Sequence, residues 1–214
     1  MNDPADTPNP TEIKLTHDQL DESFRQRYWS NAIRYGIQYY VAGRFATASG
    51  FTPVSANLLH HAAELLLKAC LAYDDPVVII RQYGDCKKGY RHNLLRLWTE
   101  FNKRHASLAR PEFDTVIGAL HKFEDIRYPE KLIENGATIS IGLFEVENPI
   151  SGDGIDPNTL YVLMLPQVDR LMNILFEASH GNPVVFLGEV NDERRRLYYD
   201  KLATTLFGRT PTDE

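Results

Sequence analysis

The stretch Asn57-Leu-Leu-His60-His61-Ala-Ala-Glu64-Leu-Leu-Leu-Lys68-Ala-Cys70-Leu71 constrains the fold more than any other part of the chain. At about 100° per residue, Asn57, His60, His61, Glu64 and Lys68 fall within a sector of roughly 100°, and everything outside it is Leu, Ala or Cys. A helix apolar over so wide an arc is enclosed by neighbours on most sides. The segment is therefore expected to be the central helix of a helical core. Thr52-Pro53 opens it, with proline where a missing N–H donor does no harm, and Asp74-Asp75-Pro76 stops it. Its polar sector has two readings. One is a single wet face carrying Glu64 and Lys68 as an i,i+4 pair. The other is a polar seam turned toward another helix or another subunit, which suits two histidines and an asparagine better than a solvated stripe does.

Flanking segments supply partners for this helix. Thr16 and Gln19 form a capping-box start for a long first helix reaching Ser49–Gly50. Its expected apolar stripe is Phe24, Tyr28, Ala32, Tyr35, Tyr39, Ala42 and Ala46. Gly36 and Gly43 lie two turns apart on it and weaken the helix, so they are expected where a neighbouring backbone comes close. A third helix begins near His92 or Asn93, with Leu94, Leu97, Trp98, Phe101, His105 and Leu108 inward. Pro111 starts a fourth, striped by Phe113, Val116, Ile117, Leu120 and Phe123, and Pro129 ends it. Val77–Ile80 is a short apolar segment before a loop rich in Gly and Lys. Thr138–Leu143 alternates as a strand does, Asn148–Asn158 reads as a loop, and a last core helix runs over Pro166–Ser179. Val184–Leu187 reads as a short strand and Asn191–Phe207 as a peripheral amphipathic helix.

The expected fold is mainly α: an up-and-down bundle of four to five helices with a small irregular β insertion and a peripheral C-terminal helix. Residues 1–15 read as a disordered lead-in, 16–180 as the bundle with its insertion at about 130–158, and 181–214 as an extension. The 214 residues are 43% apolar and 24% charged, with a net charge of −6, which disfavours disorder and a uniformly basic nucleic-acid coat. No apolar run approaches the roughly 20 residues that cross a bilayer, so no membrane partner is expected. The N-terminus lacks the basic and apolar regions of a signal peptide. Cys70 and Cys86 are expected to be reduced thiols, in a cytoplasmic setting.

Charges on the fourth helix sharpen the picture. Glu124 and Arg127 project onto its apolar face, where an unpaired charge is far too costly. The expectation is that Arg127 reaches Glu64 and Glu124 reaches Lys68 across the bundle. His92, near Lys87, Lys88 and Arg91, reads either as an anion-friendly corner or as a capping residue beside a solvated loop. Arg194-Arg195-Arg196 is surrounded by acids and reads as a solvated helix face.

Leu59-His60-His61-Ala-Ala-Glu64-Leu-Leu-Leu-Lys68-Ala69, then Arg91-His92-Asn93-Leu94-Leu95-Arg96-Leu97, then Ile126-Arg127-Tyr128-Pro129 together resemble a HEPN domain (higher eukaryotes and prokaryotes nucleotide-binding). The resemblance spans roughly Leu20 to Pro129. It implies a helical bundle that forms a homodimer and works on RNA or nucleotides, often in prokaryotic defence, toxin–antitoxin or stress systems, with an antitoxin or nucleotidyltransferase as protein partner. Catalytic HEPN proteins are metal-independent ribonucleases with an Arg-x4-6-His motif. In this chain Arg127 is followed by Tyr-Pro-Glu-Lys-Leu-Ile-Glu, without histidine. Binding is therefore favoured over catalysis, and the catalytic residues are unassigned. The candidate binding or seam residues are His60, His61, Glu64, Lys68, His92, Arg127 and Tyr128.

Two alternatives remain. One is a metal-independent endoribonuclease or toxin with a noncanonical site, such as His60 or His61 with Arg127. The more remote one is a di-metal enzyme suggested by Glu177-x-x-His180, although such sites need two of these motifs and two further glutamates. No cofactor or metal site is assigned: the cysteines lack zinc-ligand spacing, and there is no P-loop, Gly-x-Gly-x-x-Gly or Gly-x-Ser-x-Gly motif.

Overall fold

The computed structural model describes residues 22–75, 92–108, 110–124, 130, 133–134, 136, 138–143 and 159–182. Among them are five long helices and two short strands: α1 (Glu22–Ala48), α2 (Thr52–Asp74), α3 (Leu94–Arg104), α4 (Pro111–Lys122), β1 (Thr138–Gly142), β2 (Leu160–Met164) and α5 (Leu165–Ala178). The expected capping-box start of α1 at Thr16 lies outside the described residues. Val77–Ile80, the loop Asn148–Asn158, the end of helix four at Pro129, Val184–Leu187 and Asn191–Phe207 also lie outside.

The mainly α architecture follows from α2. Ala56, Leu59, Ala62, Ala63, Leu66, Leu67, Ala69, Cys70 and Leu71 are all inaccessible to solvent, and α2 packs against α1, α3, α4 and α5. Pro53 lies in its first turn, where no donor is lost. Cys70 is a free, fully buried thiol that donates to the Leu175 carbonyl of α5 at 3.2 Å, and burial pushes its pKa upward.

The longest helix, α1, lies against α2 along Ala32, Ile33, Gly36, Ile37, Tyr40, Gly43 and Ala46. This corrects the expected stripe: Tyr35, Tyr39 and Ala42 face outward, with Tyr35 and Tyr39 49% and 37% exposed. The stripe turns because Gly36 and Gly43 admit α2. A Cβ on Gly36 would stand 2.9 Å from Leu66 Cγ, and one on Gly43 would stand 2.9 Å from Leu59 Cγ and 3.3 Å from the Leu59 backbone N. The close approach expected of both glycines is present.

Asn93 caps α3, its side chain accepting the Arg96 N–H at 3.0 Å. Leu94, Leu97, Trp98 and Phe101 face the core, and the Trp98 indole N–H reaches Asp114 on α4 at 2.6 Å. Helix α4 begins at Pro111 and buries Phe113, Val116, Ile117 and Leu120.

Strand β1 falls where alternation placed it, but its partner was not expected. Leu160-Tyr-Val-Leu-Met164 forms β2, parallel to β1 with Thr138 opposite Leu160 and Gly142 opposite Met164. β2 is an unbroken apolar run, so it carries no polar alternation to announce it. β2 runs directly into α5, with Pro166 in the first turn. No described helix is long and apolar enough to cross a membrane.

Candidate functional site

The polar sector of α2 is a seam inside the bundle. His60, Glu64 and Lys68 are 2%, 3% and 3% exposed, which overturns the reading of a wet face. On this side Leu120 of α4 reaches His60 and His92, just ahead of α3, reaches Glu64, and each buried polar group needs a partner within the fold. Asn57, the fifth member of the sector, is satisfied locally by its own Pro53 carbonyl at 3.1 Å.

Glu64 is the hub. Its Oε1 pairs with Lys68 Nζ, one turn on. Around its Oε2 stand three imidazole nitrogens: His92 Nδ1 at 3.0 Å, His61 Nδ1 at 3.4 Å and His60 Nε2 at 3.9 Å. Burial alone would raise the carboxyl pKa, but hydrogen bonds from His61, Lys68 and His92 and the Lys68 charge outweigh it and bring it down to about 2. Glu64 is thus a fixed anion and a poor proton acceptor.

His60 is held from the other side. Its Nδ1 lies 2.9 Å from the Leu120 carbonyl oxygen of α4. A carbonyl only accepts, so Nδ1 carries the hydrogen and Nε2 is left as a bare lone pair. That Nε2 is buried without a hydrogen-bond partner and points toward the Glu64 carboxylate. Burial lowers the His60 pKa and keeps the ring neutral.

The seam reaches solvent through His61 and His92, whose side chains are 26% and 51% exposed. Their rings meet edge-on at 6.1 Å, and Tyr39 on the outer face of α1 lies over His61 with centroids 5.4 Å apart. His92 is therefore neither the cap of α3, a role taken by Asn93, nor turned wholly to solvent. It bridges the start of α3 to Glu64, 28 residues earlier. Its expected basic neighbours Lys87, Lys88 and Arg91 lie outside the described residues.

Arg127 and Tyr128 are likewise outside, and with them the expected Arg127–Glu64 pairing. The Glu124–Lys68 pairing is corrected. Lys68 is taken by Glu64 within one helix turn, and Glu124, just past the end of α4, stands 3.8 Å from His121 in its last turn. The i,i+4 neighbour is closer at hand than any group across the bundle. The di-metal motif is not assembled either. Glu177 is exposed, and His180, at φ 55°, meets the Tyr73 ring at a tilt with centroids 4.5 Å apart.

A second buried network escaped the sequence reading. Asp169 on α5 accepts from the Tyr40 hydroxyl at 2.5 Å and from Arg44 at 2.5 Å, tying α5 to α1. Burial raises the pKa of both Asp169 and Tyr40, with Asp169 raising that of Tyr40 further. One signal was present: Asp169 lies in the apolar face of its helix beside Val168 and Met172. An acid in such a stripe demands a partner.

Among the described residues, His60, His61 and Glu64 are the cluster whose ligand atoms converge, all within 4.8 Å of one another. Compared with known proteins, the chain matches no family model, no curated protein and no solved structure.

Proposed function

We propose that this protein is a HEPN-like helical bundle that binds RNA or a nucleotide through the aromatic and imidazole surface over Glu64, and binds rather than cuts. The observation that carries this reading is the tilted contact of the Tyr39 and His61 rings, both partly exposed, with His92 beside them. Aromatic and imidazole faces open to solvent suit unpaired bases, whose flat faces stack on such rings. Tyr35 extends the same exposed face of α1 one turn away. Together with the ordered string of His60, His61, Glu64, Lys68, His92 and Asn93, this favours the nucleotide-binding class.

Two features favour binding over ribonuclease chemistry. Glu64 is held ionised by its neighbours and has little capacity to take up a proton near neutrality. His60 is committed to the Leu120 carbonyl and buried away from solvent. Service as a homodimer in a prokaryotic defence, toxin–antitoxin or stress system, with an antitoxin or nucleotidyltransferase as partner, belongs to the same proposal.

The test is fluorescence anisotropy of labelled single-stranded RNA and of nucleotides, in chelator, with gel analysis of the same RNA. The expected result is saturable binding with intact RNA, weakened about 5- to 100-fold by Tyr39→Ala, the range a lost base stack costs. Cleavage in chelator that vanishes with His61→Ala would replace this reading with the endoribonuclease one. No retention of any RNA or nucleotide would reject it.

A further inference from the structure

The imidazole arrangement around Glu64 has more organisation than a buried ion pair requires. Lys68 alone neutralises the carboxylate from the Oε1 side. Three more nitrogens nevertheless converge on Oε2 from two separate segments, α2 and the residue before the α3 cap. One of these nitrogens, His60 Nε2, is a lone pair on a ring 2% exposed, aimed at the cluster and without a hydrogen-bond donor. An unsatisfied buried acceptor of this kind calls for an occupant.

We propose that this cluster is a binding site for a zinc-type divalent transition-metal ion, held by His60 Nε2, His61 Nδ1 and Glu64 Oε2, with His92 Nδ1 as the fourth ligand on the solvent side. Imidazole with one carboxylate is a donor set that zinc favours. Four-coordinate zinc, with bonds of about 2.0–2.1 Å, places neighbouring ligand atoms about 3.3 Å apart. The separations from Glu64 Oε2 are 3.0 Å for His92, 3.4 Å for His61 and 3.9 Å for His60. The ligand atoms of His60, His61 and Glu64 already lie within 4.8 Å of one another, and His92, half exposed on the solvent side, has to turn inward to join them.

The outer contacts are those that orient metal ligands. His60 donates its other ring N–H to the Leu120 carbonyl at 2.9 Å, which fixes the tautomer that presents Nε2 inward. Lys68 holds Oε1 and leaves Oε2 free to coordinate. For His61 and His92 the ring hydrogen moves from Nδ1 to Nε2, so both ligands remain neutral. Bound there, the ion would tie the start of α3 to the middle of α2.

This inference stands apart from the nucleotide reading. Metal uptake is measured without nucleic acid, RNA retention is measured in chelator, and either result can fail alone. Untagged full-length protein is stripped with chelator and titrated with Co²⁺ by visible absorption, then with Zn²⁺ in competition. The expected result is one Co²⁺ per chain with the intense absorption of a four-coordinate site, erased by one equivalent of Zn²⁺. His61→Ala should weaken Zn²⁺ binding by more than the about 10- to 100-fold that loss of an outer contact costs, and His92→Ala by at least about tenfold. Circular dichroism checks the fold of both, and His92, half exposed, provides the variant least able to disturb packing. Absence of uptake, a six-coordinate spectrum, or affinity unchanged in both variants would overturn the assignment; the last result would place the ion on other histidines.

Discussion

His60 Nδ1 donates across 2.9 Å to the carbonyl oxygen of Leu120, so the centre of α2 is fastened to the last turn of α4 by a buried hydrogen bond 60 residues apart in sequence. The same bond settles which His60 nitrogen carries hydrogen, and so determines what the seam presents to Glu64. His60→Ala should cost about 2–4 kcal/mol, combining a lost buried hydrogen bond with a cavity. His60→Asn, whose amide N–H₂ lies close to the position of Nδ1, should recover part of it. Urea denaturation at neutral pH measures both, and equal stabilities for wild type and alanine variant would refute the fastening.

Acid should weaken the seam in a defined window. The Glu64 carboxyl titrates at about 2 in the fold against an ordinary 4.5. A depressed carboxyl pKa contributes stability in full above the unfolded value and loses it as pH falls through the folded one. Glu64 should therefore contribute on the order of 3 kcal/mol above pH 4.5, fading between pH 4.5 and about 2. Glu64→Gln should be markedly less stable at neutral pH, and the gap to wild type should close across that interval.

The buried imidazole adds a slope at higher pH. Burial lowers the His60 pKa below 6.5, against the opposing influence of the Leu120 bond, Glu64 and Glu124, while His61 lowers it further. The unfolded chain then takes up a proton that the fold refuses, so stability should begin to fall as pH drops below about 6.5. His60→Asn should flatten this part of the profile and leave the lower Glu64 step in place.

The two α1 glycines should resist substitution where a third does not. A methyl at Gly36 or Gly43 meets a leucine Cγ at 2.9 Å, so Gly36→Ala and Gly43→Ala should each destabilise by about 1–3 kcal/mol despite alanine's better helix propensity. Gly118 on α4 has nothing within 4 Å of its Cβ position, and Gly118→Ala should stabilise by roughly 0.5–1 kcal/mol. Thermal melts of the three variants give the comparison, and the sign difference is the point to check.

Asp169→Asn should destabilise by about 3–5 kcal/mol, because Arg44 would keep its charge while losing its carboxylate partner. Pairing it with Arg44→Met should recover part of the loss, as replacing both charges is gentler than stranding one. A double variant no better than the single one would mean the two side chains are not energetically coupled.

Sequence alone determined whatever depends on local chemistry and on the period of one helix. The width of the α2 apolar arc identified the central helix, Asn93 and Pro111 marked the starts of α3 and α4, and the Gly36/Gly43 spacing announced a close approach. Those features are set by a residue's own backbone and its neighbours within a few positions. Tertiary structure decided which side of α1 faces inward, because packing of Leu59 and Leu66 into two glycines outweighed the pull of Tyr35 and Tyr39 toward the core. It also decided that Leu160–Met164 is a strand, since only pairing with Thr138–Gly142 distinguishes that apolar run from the helix it enters. The candidate site divides in the same way. His60, His61, Glu64 and Lys68 share one helical face by arithmetic, whereas the arrival of His92 at Glu64 and of the Leu120 carbonyl at His60 depends on how separate helices close together. A charge or a lone pair in a one-dimensional string has no depth; burial gives it one, and with it the need for a partner.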